Sequence, residues 1–256
     1  MKRIFLLFFV LTAAAGCKKE QKKPTPPPAN DKLLLTSIID VNATSPDTIH
    51  IEKFTYDENF RRIKETSVNA GSEDNTILNY TYDSSGNLTS INYGSTPDGL
   101  SYTYKNDVPF TQFDRVAPGS LNNYTVSNGK VTAVAYNGSS GTMEGITYDG
   151  NNIIKVEDVI DPFDSVTITF KYGTKKDIFY SSGFKWYYGY QYPYLPLLSQ
   201  NELTEQVITL PDGSILKTTY TYVYNDQGYP TQYTMYSGDG NVTGKGYYTY
   251  KTVHVN

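Results

Sequence analysis

Cysteine is nearly missing from this chain of 256 residues: Cys17 is the only one. A single thiol forms no disulfide within the chain, so the fold must be held by its core. Histidine is almost as scarce, and His50 and His254 lie far apart in the sequence. A histidine metal cluster or triad would need those two to meet, and both read as plain surface or strand histidines. No G-x-S-x-G elbow, P-loop, H-E-x-x-H or C-x-x-C is present, so the usual nucleophile and metal machinery is missing. Excess positive charge is absent too. Residues 33–256 hold 15 basic against 24 acidic side chains, a formal charge of −9, which disfavours nucleic acid as a partner.

Long apolar runs are also lacking. The longest, which includes Ile4 to Val10, is too short for a bilayer span of about 20 residues, but it follows Lys2 and Arg3 and precedes Ala13-Ala14-Ala15-Gly16-Cys17. That order reads as a signal peptide over 1–16. Ala14-Ala15-Gly16-Cys17 resembles the cleavage site of bacterial lipoproteins, which implies a Cys17 carrying acyl chains and a protein anchored to a membrane without crossing it. Residues 17–32 continue with Lys18, Lys19, Lys22 and Lys23, then Pro24, Pro26, Pro27 and Pro28, an extended tether unable to bury apolar area. The expected location is the outer membrane, with its face left open.

What remains, 33–256, is long enough for one domain with a sizeable core, and its 25 tyrosines (counted over the whole chain) come with abundant Thr, Gly, Asn and Asp. Self-comparison finds a short unit: an aromatic residue or Ile, usually Thr, then Tyr, followed by a turn. It occurs as Phe54-Thr55-Tyr56, Tyr80-Thr81-Tyr82, Tyr102-Thr103-Tyr104, Tyr124-Thr125-Val126, Ile146-Thr147-Tyr148, Phe170-Lys171-Tyr172, Tyr222-Val223-Tyr224 and Tyr248-Thr249-Tyr250. Alternation puts the first and third residues on one sheet face, and a period near 22 fits two strands with two tight turns. The interval between Tyr172 and Tyr224 is about two periods, which predicts one degenerate or replaced unit there. The fold class is therefore all-β, an antiparallel meander of repeated hairpins curled into a barrel or half-barrel.

Tyr80-Thr81-Tyr82-Asp83-Ser84-Ser85-Gly86-Asn87-Leu88-Thr89-Ser90-Ile91 resembles the YD repeat of Rhs and teneurin shells, while Lys105, Gly173, Asn225 and Lys251 replace the Asp in other units. In length, lipoprotein start and degenerate units, the whole chain is similar to small Gram-negative outer-membrane lipoproteins of unknown function with a porin-like β fold. That resemblance implies a curled antiparallel barrel and supplies no chemistry.

Two segments remain as candidate sites. Glu157, Asp158, Asp161 and Asp164 crowd the residues around Pro162, where a solvated loop, a glycosidase carboxylate pair and a calcium site are the competing readings. The stretch from Phe179 to Tyr194 holds the only Trp, and Trp186, Tyr187, Tyr188, Tyr190 and Tyr192 read either as a stacking platform for a ligand or as rings covering a barrel edge. The sequence thus points to a non-enzymatic, lipid-anchored envelope module that binds a glycan or protein partner or is structural. It calls for no cofactor, no metal and no catalytic residue. The alternative is a glycoside hydrolase using paired carboxylates.

Overall fold

Each described strand after the first pairs antiparallel with the one before it, and the last returns to pair with the first. In the computed structural model, sixteen strands occur among the described residues: β1 (Asp31–Val41), β2 (Thr48–Tyr56), β3 (Arg62–Asn69), β4 (Asn75–Tyr82), β5 (Leu88–Tyr93), β6 (Gly99–Lys105), β7 (Val108–Asp114), β8 (Leu121–Ser127), β9 (Lys130–Asn137), β10 (Met143–Asp149), β11 (Asn152–Val159), β12 (Ser165–Lys176), β13 (Asn201–Thr209), β14 (Ile215–Tyr224), β15 (Pro230–Ser237) and β16 (Val242–His254). The β1 ladder with β16, from Asp31 opposite His254 to Val41 opposite Lys245, closes the barrel. Closure removes both sheet edges. The structure describes residues 31–45, 47–72, 75–116, 121–137, 143–159, 165–181 and 199–254. The signal segment, Cys17, the tether up to Asn30, Asp161, Asp164 and the aromatic residues Trp186, Tyr187, Tyr188, Tyr190 and Tyr192 lie outside them.

The triplet alternation is present in the structure. Tyr80, Leu78 and Ile91 point inward and are buried, whereas Thr81 is exposed. A continuous inner cluster runs from Leu78 and Tyr80 through Tyr102, Tyr124, Val134, Ile146 and Ile168 to Leu203. The outward rows carry Thr103 and Thr111, whose hydroxyls bond each other, and Lys171 and Lys217, which both pair with Glu205. An apolar inner wall behind a polar outer wall is the reverse of a membrane-spanning porin, which needs an apolar band toward lipid.

Each hairpin also carries a bulge on the strand opposite the third residue of its triplet. Register slips between Thr81 and Tyr82, between Thr147 and Tyr148, and at the matching points of the other units. A bulge releases one carbonyl from the ladder. The triplet tyrosine of the following hairpin takes it: Tyr56 donates to the Leu35 carbonyl, Tyr82 to Arg62, Tyr104 to Leu88, Tyr148 to Val131, Tyr172 to Ile153 and Tyr250 to Pro230, at 2.5–2.9 Å. In the β14 unit it is Tyr222 that bonds the Leu203 carbonyl, at 2.7 Å. Val126 has no hydroxyl, so the belt skips that unit. On the outside, the bulged residue itself is often Thr, and Thr36, Thr204 and Thr231 each donate to a carbonyl of the partner strand at 3.0–3.2 Å.

Among the described residues the two-period interval adds no further unit to the barrel. β12 and β13 pair directly, Phe170 opposite Gln206, so the extra residues lie in the connection between them. The turns at this end are tight elsewhere: Asp83 accepts the Asn87 amide on Oδ1 and its side-chain amide on Oδ2, with Gly86 at φ +82°. That Asx turn is complete without an ion. In the β2–β3 turn the same left-handed position is filled by Phe60, at φ +63°.

Candidate functional site

The two ends of the barrel differ. At the end where β1 begins, the connection after β12 turns into the lumen and buries Ile178 and Phe179 against Leu34, Leu35, Phe54 and Tyr56. Phe179 meets Phe54 edge to face at 5.5 Å. The Arg62 guanidinium lies 4.3 Å over the Phe179 ring and 4.7 Å over that of Phe54, and Nη1 donates to Glu65 Oε2 at 3.2 Å. Tyr80 donates to the same oxygen at 2.9 Å. This end forms a floor in which a buried ion pair is held by aromatic faces and a phenol.

Toward the opposite end, the inner wall of β1, β2 and β3 turns polar. The spacing is a direct result of strand alternation: His50 and Glu52 are in phase with Phe54 and Tyr56, so all four side chains share the inner face. Asp40 stands opposite His50 and Asn69 on its other side. His50 Nδ1 lies 2.8 Å from Asn69 Oδ1, and Nε2 lies 3.2 Å from Glu52 Oε1 and 3.3 Å from Ser67 Oγ. Tyr233 reaches over from β15 to donate to Asp40 Oδ1 at 2.6 Å. Its ring crosses Gly246, where a Cβ would lie only 2.3 Å from the phenyl edge.

Burial raises the Asp40 carboxyl above its ordinary range, more than the Tyr233 hydrogen bond and the His50 charge lower it. Glu52 is raised by burial and by the charge of Glu65, with His50 opposing. For His50 burial works downward, but hydrogen bonds to Asn69 and Glu52 and the two carboxylate charges carry it above 6.5. These groups still touch water: the His50 and Glu52 side chains are 22 % and 26 % exposed. Tyr220, Tyr222, Tyr233 and Tyr248 nearby are half-buried, and Tyr220 and Tyr222 stack at 6.5 Å.

The chain is similar in fold to a porin-like protein from Bacteroides uniformis. Identity is 16 %, coverage is 87 % of this chain and 96 % of that one, and the TM-score is 0.54. A porin-like protein from Bacteroides vulgatus aligns over 86 % of this chain and 99 % of its own, at 10 % identity and a TM-score of 0.47. No family model matches the chain, and none of the curated proteins matches it in sequence. The likeness is one of fold, an all-β antiparallel closed barrel.

Of the acids read from the sequence around Pro162, Glu157 is the one whose side chain is described. Glu157 lies on the outer face of β11, bonded to Lys155 at 2.5 Å, and so is no lumenal acid. His50 is a strand histidine of β2, and its side chain joins the lumenal network. His254 bonds Asp31 at the barrel seam, far from His50 in the ladder. Among the described residues no group of three His, Cys, Asp or Glu gathers as a metal site. The signal that could have found the network is the His-x-Glu-x-Phe-x-Tyr phase from His50 to Tyr56, which puts two ionisable groups on a face marked as buried.

Proposed function

We propose that this chain is a non-enzymatic, lipid-anchored barrel of the outer membrane that binds a glycan at the mouth of its lumen. The observation that carries the reading is the water-reaching polar patch of Asp40, His50, Glu52, Ser67 and Asn69, set beside half-buried tyrosines on the inner wall. Sugars are recognised by such a combination of aromatic faces and fixed hydrogen-bonding groups. Asp31, where the tether would join, lies at the floor end, opposite to this patch.

A glycan array on the mature protein tests the reading, with Asp40→Asn as the variant. Binding lost in Asp40→Asn with an unchanged melting temperature is the expected result. Binding that survives there but disappears in Trp186→Ala would move the site to Trp186, Tyr187, Tyr188, Tyr190 and Tyr192. The anchor is tested separately, since Cys17→Ala should abolish palmitate incorporation and membrane sedimentation.

A second reading, glycoside hydrolysis, is favoured by one feature. Asp40 and Glu52 are inward carboxyls on adjacent strands, offset by two positions and both raised by burial. An inverting pair needs its carboxyl groups about 6.5–9.5 Å apart, with room for a water between them. Release of reducing sugar that Glu52→Gln abolishes would establish it.

A further inference from the structure

Glu202 is only 4 % exposed, yet it is not fully satisfied. It sits at the start of β13, and its carboxylate lies across Gly173 of β12, where a Cβ would come within 2.1 Å of Oε1. Only glycine leaves that space. Oε1 accepts the Tyr224 hydroxyl at 3.0 Å, while Oε2 is buried with no hydrogen-bond partner among the described residues. A second carboxylate is close by: Asp177 feels the charge of Glu202, and it is fixed in place by the Phe179 amide donating to Oδ1 at 2.8 Å.

A buried carboxylate oxygen with nothing to bond it is costly, and a second carboxylate beside it raises the cost. Arg62 is near enough to favour the Asp177 anion, but it is engaged with Glu65 and held between Phe54 and Phe179. Lys176 lies over the Tyr180 and Tyr229 rings. The groups facing the pair from β14 and β16 are the phenols of Tyr222, Tyr224, Tyr248 and Tyr250. Carboxylate and phenol oxygens are hard donors.

We propose that Glu202 and Asp177 form a cation site in the floor of the barrel, taking a hard divalent ion of the calcium class. The ion would bind the free Oε2 of Glu202, neutralise both carboxylates, and tie β13 to the segment that closes the lumen. It stands independently of the glycan reading, because Asp40, His50, Glu52, Ser67 and Asn69 take no part in it.

Terbium is the probe, since tyrosines beside a bound lanthanide sensitise its emission. The mature protein, treated with chelator and titrated with terbium under tyrosine excitation, should emit, and calcium should reverse the signal. Calcium at a hundredfold excess over its Kd should raise the melting temperature by roughly 5–10 °C. Glu202→Gln should lose both effects, and Glu157→Gln, on the outer wall, should keep both. Should Glu202→Gln fail to fold, Asp177→Asn carries the same test. Emission equal in all variants would place the ion elsewhere, and no emission with no melting shift would leave the pair sharing a proton; either overturns the proposal.

Discussion

The phenol of Tyr148 donates to the carbonyl of Val131 at 2.9 Å, and the two residues belong to neighbouring hairpins. The bond exists because a bulge after Val131 takes its carbonyl out of the ladder, and because the 22-residue period brings the next triplet tyrosine alongside. Each hairpin that carries such a tyrosine thus fastens the one before it. This explains why the triplet ends in Tyr and not Phe: the ring fills the core and the hydroxyl satisfies a backbone acceptor that the bulge left open.

Tyr82→Phe should therefore destabilise by about 1 kcal/mol, the net value of one such hydrogen bond, while Thr81→Val on the outer face should be near neutral. Tyr82→Asp should cost several-fold more, by placing a charge on the buried face. Urea melts of the three variants check it, and equal losses for Tyr82→Phe and Thr81→Val would refute the belt.

Much of this architecture was legible because strand period and turn chemistry are local. The Tyr80-Thr81-Tyr82 unit with Asp83 and Gly86 after it specifies face, turn and repeat within a few residues. Closure was not legible: the β1–β16 ladder joins residues 223 apart at Asp31 and His254, and no local pattern reports it. The Tyr172 to Tyr224 interval misled because a long connection and a missing unit have the same length. The polar network stayed hidden for a different reason. Asp40, His50 and Glu52 come together through register across β1 and β2, whereas the crowded acids near Pro162 are neighbours only in sequence.

Arg62 and Glu65 form a buried pair, so removing one partner should hurt more than removing both charges. Arg62→Met should cost about 3–5 kcal/mol by stranding the Glu65 carboxylate, and adding Glu65→Gln should recover part of that loss. A double-mutant cycle in guanidinium measures it. Strict additivity would mean that the pair is not coupled.

Gly246 admits the Tyr233 ring to the lumen, with Asp40 Oδ1 2.8 Å from where a Cβ would lie. Gly246→Ala should push Tyr233 off Asp40 and lower stability by about 1–3 kcal/mol, the usual range for overpacking. On the proposed function, glycan binding should fall with it. Gly244→Ala is the milder comparison, since its nearest neighbour is the flexible end of Met235 at 3.0 Å.

Asp177 sets the pH dependence of the floor. Burial is the largest influence on its carboxyl and pushes it from 3.8 up to about 7, against hydrogen bonds from the Phe179 and Ile178 amides. In the unfolded chain the group ionises near its ordinary value, while in the folded barrel it keeps its proton to near neutrality. Between about pH 4 and pH 7 the folded state therefore binds the extra proton, and stability falls as pH rises through that window before levelling above it. Asp177→Asn cannot ionise and should lose this slope: in chelator its melting temperature should match the parent near pH 4 and exceed it at pH 8. Calcium added to the parent at pH 8 should close most of the gap, because an ion on Glu202 and Asp177 would replace the missing proton. Thermal melts of both proteins at the two pH values decide the matter. A parent whose stability is flat from pH 4 to pH 8 would show that Asp177 ionises as freely in the barrel as in water.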